Sequence, residues 1–597
     1  MNRPKTPAAK QPESERSARS RRPAVTAAGK SHVSAGSAIR ETVESVVIAF
    51  VLAFLFRTFE AEAFVIPTGS MAPTLMGRHR EYDCPKCGHT YQVSASQEVN
   101  QDGVPIDGAS PTPHTVGAND SRALTVVVGT CPMCRFTAQI GPQNPNGPQP
   151  SFKGDRILVD KFAYQLREPE RWDVAVFKFP GEAYVNYIKR LVGRPNETVR
   201  IYHGDIFVAG RGQSDFEIQR KPPHKLLAML QPVWDNDLTP KLKDYPFPLR
   251  WQPAPSDAPA GAWQPSADGR SFATDGTSPR AAWLHYRHLV PSQLHWARAL
   301  STNPRLPDEP IKPQLIVDMT AYNTSYTMAQ GEARQSGPYP PLRDGGGPWP
   351  GPVYHPVGDL ALACTLDTDS DSGEVYLALI KGGREFRCAF ELATGLATLS
   401  ISGHDMAAFR PAVETNFRGR GQHTVIFANC DQELRLWIDG RLVQFGGDDK
   451  AGRYPDLDNF VPTDQDLTPV RIGARGAAVR ASRLRIYRDV YYLTGHQLNH
   501  TMCDYRTAPS GADFYSNSKS WAEGFAKMAF QDFPLAEDQF FMLGDNSAQS
   551  KDSRAWETGH FVHRSLMIGK AFFIYWPHSW DWPVPFFPNF GRMGFVR

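Results

Sequence analysis

Ser70 lies in Pro67-Thr68-Gly69-Ser70-Met71-Ala72-Pro73-Thr74-Leu75, directly after an apolar run. Prolines at 67 and 73 fix φ and discourage helix, and Gly69 lets the backbone bend tightly beside the serine. A hydroxyl presented this way can act as a nucleophile if a base takes its proton. One candidate base is Lys189, in the strand pattern Tyr184–Val192. There it shares a face with Tyr187 and Leu191, while Arg190 shares the other face with Ile188 and Val192. A lysine on an apolar strand face is ordinarily a snorkelling or edge-strand side chain. To serve as a base, its pKa must fall from ~10.4 towards ~8 at a cost of about 3 kcal/mol, which desolvation by neighbours such as Tyr187 can supply. A neutral lysine amine can then take the hydroxyl proton, as in Ser-Lys hydrolases.

Two further clusters could do chemistry or hold an ion. In Phe540–Trp556, an apolar strand pattern runs into Gly544-Asp545-Asn546 and then a loop dense in hydroxyl and charged groups. Alone it is an ordinary polar loop, but it has the composition needed to orient a lysine base. Cys84-Pro85-Lys86-Cys87-Gly88-His89 and Cys131-Pro132-Met133-Cys134-Arg135 form two Cys-x-x-Cys knuckles. Cys84, Cys87, Cys131 and Cys134 fit a structural zinc ribbon, since four thiolates suit tetrahedral zinc. The alternative is disulfides, favoured if this part faces an oxidising compartment. Cys364, Cys388, Cys430 and Cys503 lack metal spacing and read as buried small residues. Asp367, Asp369 and Asp371 read as a solvated turn, because the glycine falls one place late for a calcium loop. Ser516-x-x-Lys519 has no companion motif and is treated as coincidence.

The elements that must position these groups follow from composition and patterning. The chain of 597 residues is long enough for two to four domains, and its 51 prolines and 48 glycines favour turns and β-rich architecture. A net charge of +3 gives no argument for nucleic acid. Residues 1–40 are basic, rich in Ser, Ala and Pro, and without apolar periodicity, so they read as a disordered cytoplasmic tail. Val46–Phe56 is uninterrupted apolar sequence. Extended to Val43–Phe59, it can span a bilayer if Glu44 and Arg57 snorkel to the interfaces. The basic tail places the N-terminus in the cytoplasm. A cleavable signal ending at Ala61-Glu62-Ala63 is the rival reading; the forty-residue basic region, longer than a typical n-region, favours an uncleaved anchor.

Beyond the serine segment, Gly154–Lys161 and Trp172–Phe177 read as strands. From Asp359 to Leu493, alternating strands recur at Leu360–Leu366, Glu374–Ile380, Phe386–Leu392, Ala397–Ile401, His423–Ala428, Leu434–Ile438 and Arg483–Val490. Asp439-Gly440 marks a hairpin turn. Residues 205–350 are rich in Pro and Trp, without readable topology, and Ser336–Pro352 reads as a linker or long loop.

Taken together, the boxes occur in the order found in bacterial type I signal peptidase, and the chain resembles that family over about 200 of its 597 residues. Val43–Phe59 resembles the transmembrane anchor, Phe64–Leu75 the serine box and residues 154–161 the Gly-Asp strand. Tyr187–Arg190 resembles the lysine box, residues 544–554 the closing box, and Ile568–Ala571 the small-residue strand after it. The resemblance implies Ser70 as nucleophile and Lys189 as general base. It implies Thr68 as a hydroxyl partner of the Ser70 N–H in the oxyanion hole, and Ser550 as the group orienting the lysine amine. Asp545, Asn546, Asp552 and Arg554 are implied as loop supports. The family uses no catalytic histidine, and no cofactor is expected for catalysis. Trp172 and Asn196 stand where the family has glycine; Asn tolerates left-handed φ best among non-glycine residues. The cysteine knuckles are atypical of the family. Glu433–Val443, Val470–Gly473 and Leu484–Tyr487 resemble a laminin-G or concanavalin-like sandwich, which implies a jelly roll that in some members binds carbohydrate.

The expected fold is thus mainly β: a signal-peptidase-like β-fold after one N-terminal transmembrane helix, with an inserted β-sandwich (jelly roll). The expected organisation is a tail (1–40), an anchor (41–59), peptidase core (60–83, 150–204 and 538–597), a zinc-ribbon-like insertion (84–140), and an insertion (205–537) with its sandwich at about 355–495. The expected function is removal of signal peptides from exported preproteins after small residues, by a Ser-Lys endopeptidase in contact with membrane lipid on the extracytoplasmic side of the inner membrane. The competing expectation is a membrane-anchored adhesion protein on an inactive peptidase scaffold.

Overall fold

The structure is a computed structural model that describes residues 35–55, 61–98, 124–139, 151–242, 247–254, 262–301, 310–329, 353–447, 450–458, 460–498, 501–507, 509, 513–580 and 587–597. The tail up to residue 34, the loop between the cysteine knuckles at 99–123 and the linker predicted at 336–352 lie outside, or all but a residue outside, the described residues. The chain divides into two units, residues 1–58 and 59–597.

The first unit contains a helix, Ala35–Leu55, that starts inside the stretch expected to be tail. Its first half carries an Arg40–Glu44 ion pair at 2.7 Å, one helical turn apart. Its second half is the apolar run. Among the described residues, no helix is long and apolar enough to cross a membrane. The predicted span continues to Phe59, and residues 56–59 are outside the described set.

The second unit is mainly β. One sheet has the order Ala61–Val65, Arg156–Asp160, Met567–Trp576, Val174–Phe179, Glu182–Gly193, Gln539–Leu543 and Val562–His563, with Gly594–Phe595 added to Met567–Trp576. All of these pairings are antiparallel. Ile66, Met71, Leu75, Ile157, Val159, Val174 and Val176 share one buried cluster, so the segment after Ala61–Val65 is pinned into the core by its own apolar residues. A smaller sheet joins Glu217–Ile218, Asp205–Gly210, Glu197–Tyr202 and Gln531–Pro534. This pairing corrects the boundaries drawn at 205 and 537. Asp205–Gly210 and Gln531–Pro534 both belong to the sheet of Glu197–Tyr202, so the long insertion begins later and ends earlier.

Within that insertion, two antiparallel sheets of eight and seven strands enclose one large core. The seven strands read from the alternating pattern are present, as Leu360–Thr368, Glu374–Lys381, Arg384–Glu391, Leu396–Ile401, Gly421–Cys430, Glu433–Ile438 and Val479–Arg488. Asp439 and Gly440 both have positive φ, as a two-residue hairpin turn requires. The sandwich also recruits Gln231–Asp235, Trp251–Pro253, Phe272–Thr274 and Ala282–Tyr286, so it starts well before residue 355. Trp234, Trp251 and Trp263 fill its core. Cys364 and Cys388 are buried there, and burial pushes the Cys364 thiol up to about 12. At its surface, Arg420 lies 3.4 Å from Asp369 and 3.3 Å from Asp371, so one arginine bridges two carboxylates of that exposed acidic turn.

Candidate active site

Gly69–Met71 forms a single 3-10 turn, entered from an extended Thr68 (φ −118°, ψ 157°). Ala72 N–H donates to the Gly69 carbonyl at 3.1 Å and Leu75 N–H to the Met71 carbonyl at 2.9 Å. Met71 and Leu75 are fully buried, which holds Ser70 against the sheet. The Gly-Asp strand stitches both ends of this turn together. Ile66 N–H donates to the Asp155 carbonyl at 2.9 Å, and the Asp155 carboxylate accepts from Met76 N–H at 2.8 Å and from Arg592 at 2.7 Å.

Lys189 projects from the strand Glu182–Gly193, opposite Ala175 of its neighbour. Its Nζ is 2.7 Å from Ser70 Oγ and 3.0 Å from the Ile188 carbonyl, with the Tyr187 ring centre 5.3 Å away. Both side chains are buried, at 8% (Ser70) and 4% (Lys189) residual exposure. Burial pushes the Lys189 amine down from 10.5 to about 8, against an opposing pull from Asp552 and Asp545; Arg554 adds to the lowering. The result is an amine within reach of deprotonation near neutral pH, touching a serine hydroxyl.

The loop after Gln539–Leu543 frames this pair. Arg190 points to the opposite strand face and makes a bidentate bond to Asp545, at 2.7 and 2.6 Å, with both side chains fully buried. Thr74 Oγ1 donates to the same carboxylate at 2.5 Å, tying it back to the serine segment. Arg554 pairs with Asp552 at 2.8 and 2.7 Å and also donates to Ser547 and to the Leu493 carbonyl. Asn546 clamps the serine turn directly: its Nδ2 donates to the Gly69 carbonyl at 3.0 Å and its N–H to the Ser70 carbonyl at 3.1 Å. A Cβ on Gly544 would lie 2.1 Å from Ser550 Oγ and 2.4 Å from the Ser70 carbonyl, so only glycine fits there.

Ser550 is buried, but its Oγ has no hydrogen-bond partner among the described residues, so the predicted bond to the Lys189 amine is not formed here. Thr68 is exposed and its side chain does not cap the turn. The four knuckle cysteines converge, as described below.

Sequence reasoning missed three supports. Asp155 reads as part of a Gly-Asp turn feeding a strand, and Arg190 as a charged residue inside an apolar strand pattern. Asn323, which exchanges amide hydrogen bonds with Asn546 at 2.7 and 2.8 Å, comes from a stretch with no periodicity to read. Trp172 takes φ +72°, the conformation for which glycine is usual, and is only 2% exposed. Its indole donates to the Arg220 carbonyl at 3.1 Å and stacks on Tyr492, so contacts from the insertion hold the strained turn. Asn196 likewise has φ +62°.

Comparison with known proteins adds the following. The family model "signal peptidase, peptidase S26" matches residues 122–240 and 471–576, less than half of the chain. Signal peptidase I of Pseudomonas aeruginosa is 49% identical over 59 residues, 8% of this chain and 21% of that one. Signal peptidase I of Pseudomonas fluorescens is 39% identical over 83 residues, 12% of this chain and 29% of that one. The chain thus spans less than a third of the length of either relative. Among solved structures, a carbohydrate-binding module from Bacillus subtilis aligns with 40% of this chain and 99% of its own at 9% identity; its TM-score of 0.21 carries no argument. The two matched segments lie on either side of residues 241–470 and take in the sandwich strands Gln231–Asp235 and Val479–Arg488. Over these segments the chain is similar to the type I signal peptidases of peptidase family S26.

Proposed function

We infer that this protein is a membrane-anchored serine endopeptidase that removes signal peptides from exported preproteins after small residues, using Ser70 and Lys189. The observation that carries this reading is the 2.7 Å contact between a buried lysine amine lowered to about 8 and a serine hydroxyl. With Lys189 neutral, Ser70 Oγ attacks the scissile carbonyl carbon and its proton passes to Nζ. The Ser70 N–H and the Thr68 hydroxyl receive the developing oxyanion. As the C–N bond breaks, the ammonium returns that proton to the leaving amine. Water, deprotonated by the neutral Lys189, then hydrolyses the acyl-enzyme. The Ser550 hydroxyl, buried near the Ser70 carbonyl and without a partner among the described residues, is the group that would steady the amine during these transfers.

Among the described residues, Ala61–Val65 is an edge of its sheet and pairs with Arg156–Asp160 alone. An extended substrate adding to such an edge alternates its side chains into and out of the site, which suits small residues at the first and third positions before the cut. The apolar half of the helix Ala35–Leu55 supplies the anchor in this reading. An inactive adhesion scaffold would have no need to keep a buried lysine against a buried serine.

One experiment tests both chemistry and location. Membranes washed with alkaline carbonate are expected to retain the wild-type protein and to cut a preprotein once, after a small residue. Membranes carrying Ser70→Ala should retain the protein and leave the preprotein whole. Release by carbonate removes the anchor, and cutting by Ser70→Ala removes the serine.

A further inference from the structure

The cysteine knuckles are built as a matched pair. In the first, Gly88 N–H donates to the Cys84 carbonyl at 2.8 Å and Cys84 N–H to the His89 carbonyl at 2.9 Å. In the second, Arg135 N–H donates to the Cys131 carbonyl and Cys131 N–H to the Phe136 carbonyl, both at 2.9 Å. The residue after the last cysteine of each has positive φ, +76° at Gly88 and +62° at Arg135. Each turn thereby points both of its sulfurs to one side, and the two turns face each other. Cys84 Sγ lies 3.5 Å from Cys134 Sγ and Cys87 Sγ 3.6 Å from Cys131 Sγ, all four sulfurs being within 4.8 Å of one another. A tetrahedron of sulfurs around zinc, at ~2.3 Å per bond, has edges of about 3.8 Å, whereas a disulfide closes to ~2.05 Å. All four thiols are free and buried. Trp296 Nε1 donates to the Cys134 carbonyl at 3.0 Å and Arg250 to the Met133 carbonyl at 3.2 Å, fixing the second knuckle from outside.

The second knuckle is also wired to the serine turn. The strand Leu124–Thr130 runs straight into Cys131 and pairs with Tyr326–Ala329. Thr130 N–H donates to Thr324 Oγ1 at 2.9 Å, at the end of the turn Ala321–Thr324. That turn delivers two side chains to the nucleophile. The Tyr322 ring packs so closely on Gly69 that a Cβ there would sit 2.0 Å from it, and its hydroxyl donates to the Arg78 carbonyl at 3.1 Å. Asn323 exchanges both amide bonds with Asn546, whose other bonds hold the Gly69 and Ser70 carbonyls.

We propose that Cys84, Cys87, Cys131 and Cys134 bind one Zn²⁺, and that this ion, through the turn Ala321–Thr324 and the Asn323–Asn546 pair, sets the position of Ser70. The second half rests on the peptidase reading; the first does not. Asn323 is a positioning residue in this scheme, acting on Ser70 only through Asn546.

The test uses the full-length protein purified in detergent without added metal. Zinc released by a mercurial reagent is expected at about one per chain, falling to near zero in Cys84→Ser, with four thiols shielded from alkylation until release. Asn323→Ala should keep its zinc and its Tm while kcat on a preprotein falls about tenfold or more at unchanged KM. Asn323→Asp, which keeps an acceptor for Asn546 Nδ2, should recover part of that loss. Absence of zinc, with the four cysteines oxidised in pairs by intact mass, overturns the metal site. Zinc present while Asn323→Ala cuts at the wild-type kcat overturns the coupling. Zinc present with no cleavage by the wild type overturns the peptidase reading, and the coupling with it, but leaves the metal site standing.

Discussion

Replacing Lys189 with methionine is expected to abolish cleavage and to make the protein more stable. Methionine keeps an unbranched apolar stem one atom shorter than lysine's, so the site stays filled beside Tyr187, but the base is gone. Loss of a base that acts as a unit with its nucleophile costs on the order of 10⁴–10⁶-fold in kcat. The stability effect follows from linkage. Burial lowers the folded-state pKa from 10.5 to about 8, so the folded chain binds this proton less well than the unfolded chain does. At pH 7 both states are protonated and the full penalty applies, about 3 kcal/mol at ~1.4 kcal/mol per pKa unit. The amine's bonds to Ser70 Oγ and the Ile188 carbonyl offset part of it, at about 1 kcal/mol each. Lys189→Met should therefore gain about 1–2 kcal/mol at pH 7. The sign with pH is fixed. Between about 8 and 10.5 the folded amine is neutral while the unfolded one still holds its proton, so wild-type stability rises with pH and the gap to the variant closes. Denaturant melts at pH 7 and pH 10 measure this directly; a variant less stable than the wild type at pH 7, or a gap that ignores pH, would contradict it.

The second large effect belongs to the ion pair on the other face of the same strand. Arg190 and Asp545 are fully buried, and Asp545 also receives Thr74 Oγ1 at 2.5 Å and the Tyr492 hydroxyl at 3.4 Å. Arg190 further donates to the Trp172 carbonyl at 2.8 Å. Arg190→Met would strand a buried carboxylate and should cost about 3–5 kcal/mol. Adding Asp545→Leu removes that orphaned charge. The double variant is therefore expected to be more stable than Arg190→Met alone, with a coupling energy on the order of 2–3 kcal/mol in a double-mutant cycle. Simple additivity would mean that the pair does not act as a unit. Catalysis should suffer in both variants, because Asp545 directly precedes the Asn546 that holds the serine turn.

How much of this was legible in the sequence depends on where the determining contacts lie. Ser70 and Lys189 stood out because proline spacing and strand alternation are local signals, and the two are brought together by a sheet whose strands also read locally. The same alternation put Arg190 on the face opposite Lys189, yet nothing nearby named Asp545, 355 residues away, as its partner. The sandwich strands from Leu360 onward were readable because they are long and alternate. Its edge strands were not: Trp251–Pro253 is three residues long and joins its sheet through Ala282–Tyr286, which pairs with Val470–Arg475. Trp172 could be seen as a departure from glycine, but its cause, a positive φ held by the insertion residues Arg220 and Tyr492, is a tertiary fact. The link from the cysteine knuckles to Ser70 runs through Tyr322 and Asn323, residues whose types are common in any loop. The helix start at Ala35 was misplaced because Ala35–Arg40 has the composition of the tail before it.

If a neutral Lys189 amine takes the Ser70 proton, kcat/KM on a preprotein depends on the protonation of that amine. The wild-type rate is expected to rise through an apparent pKa of about 8, with no such limb in Lys189→Met at any residual rate. A wild-type profile flat from pH 6 to about 9, or the same limb surviving in Lys189→Met, would contradict it.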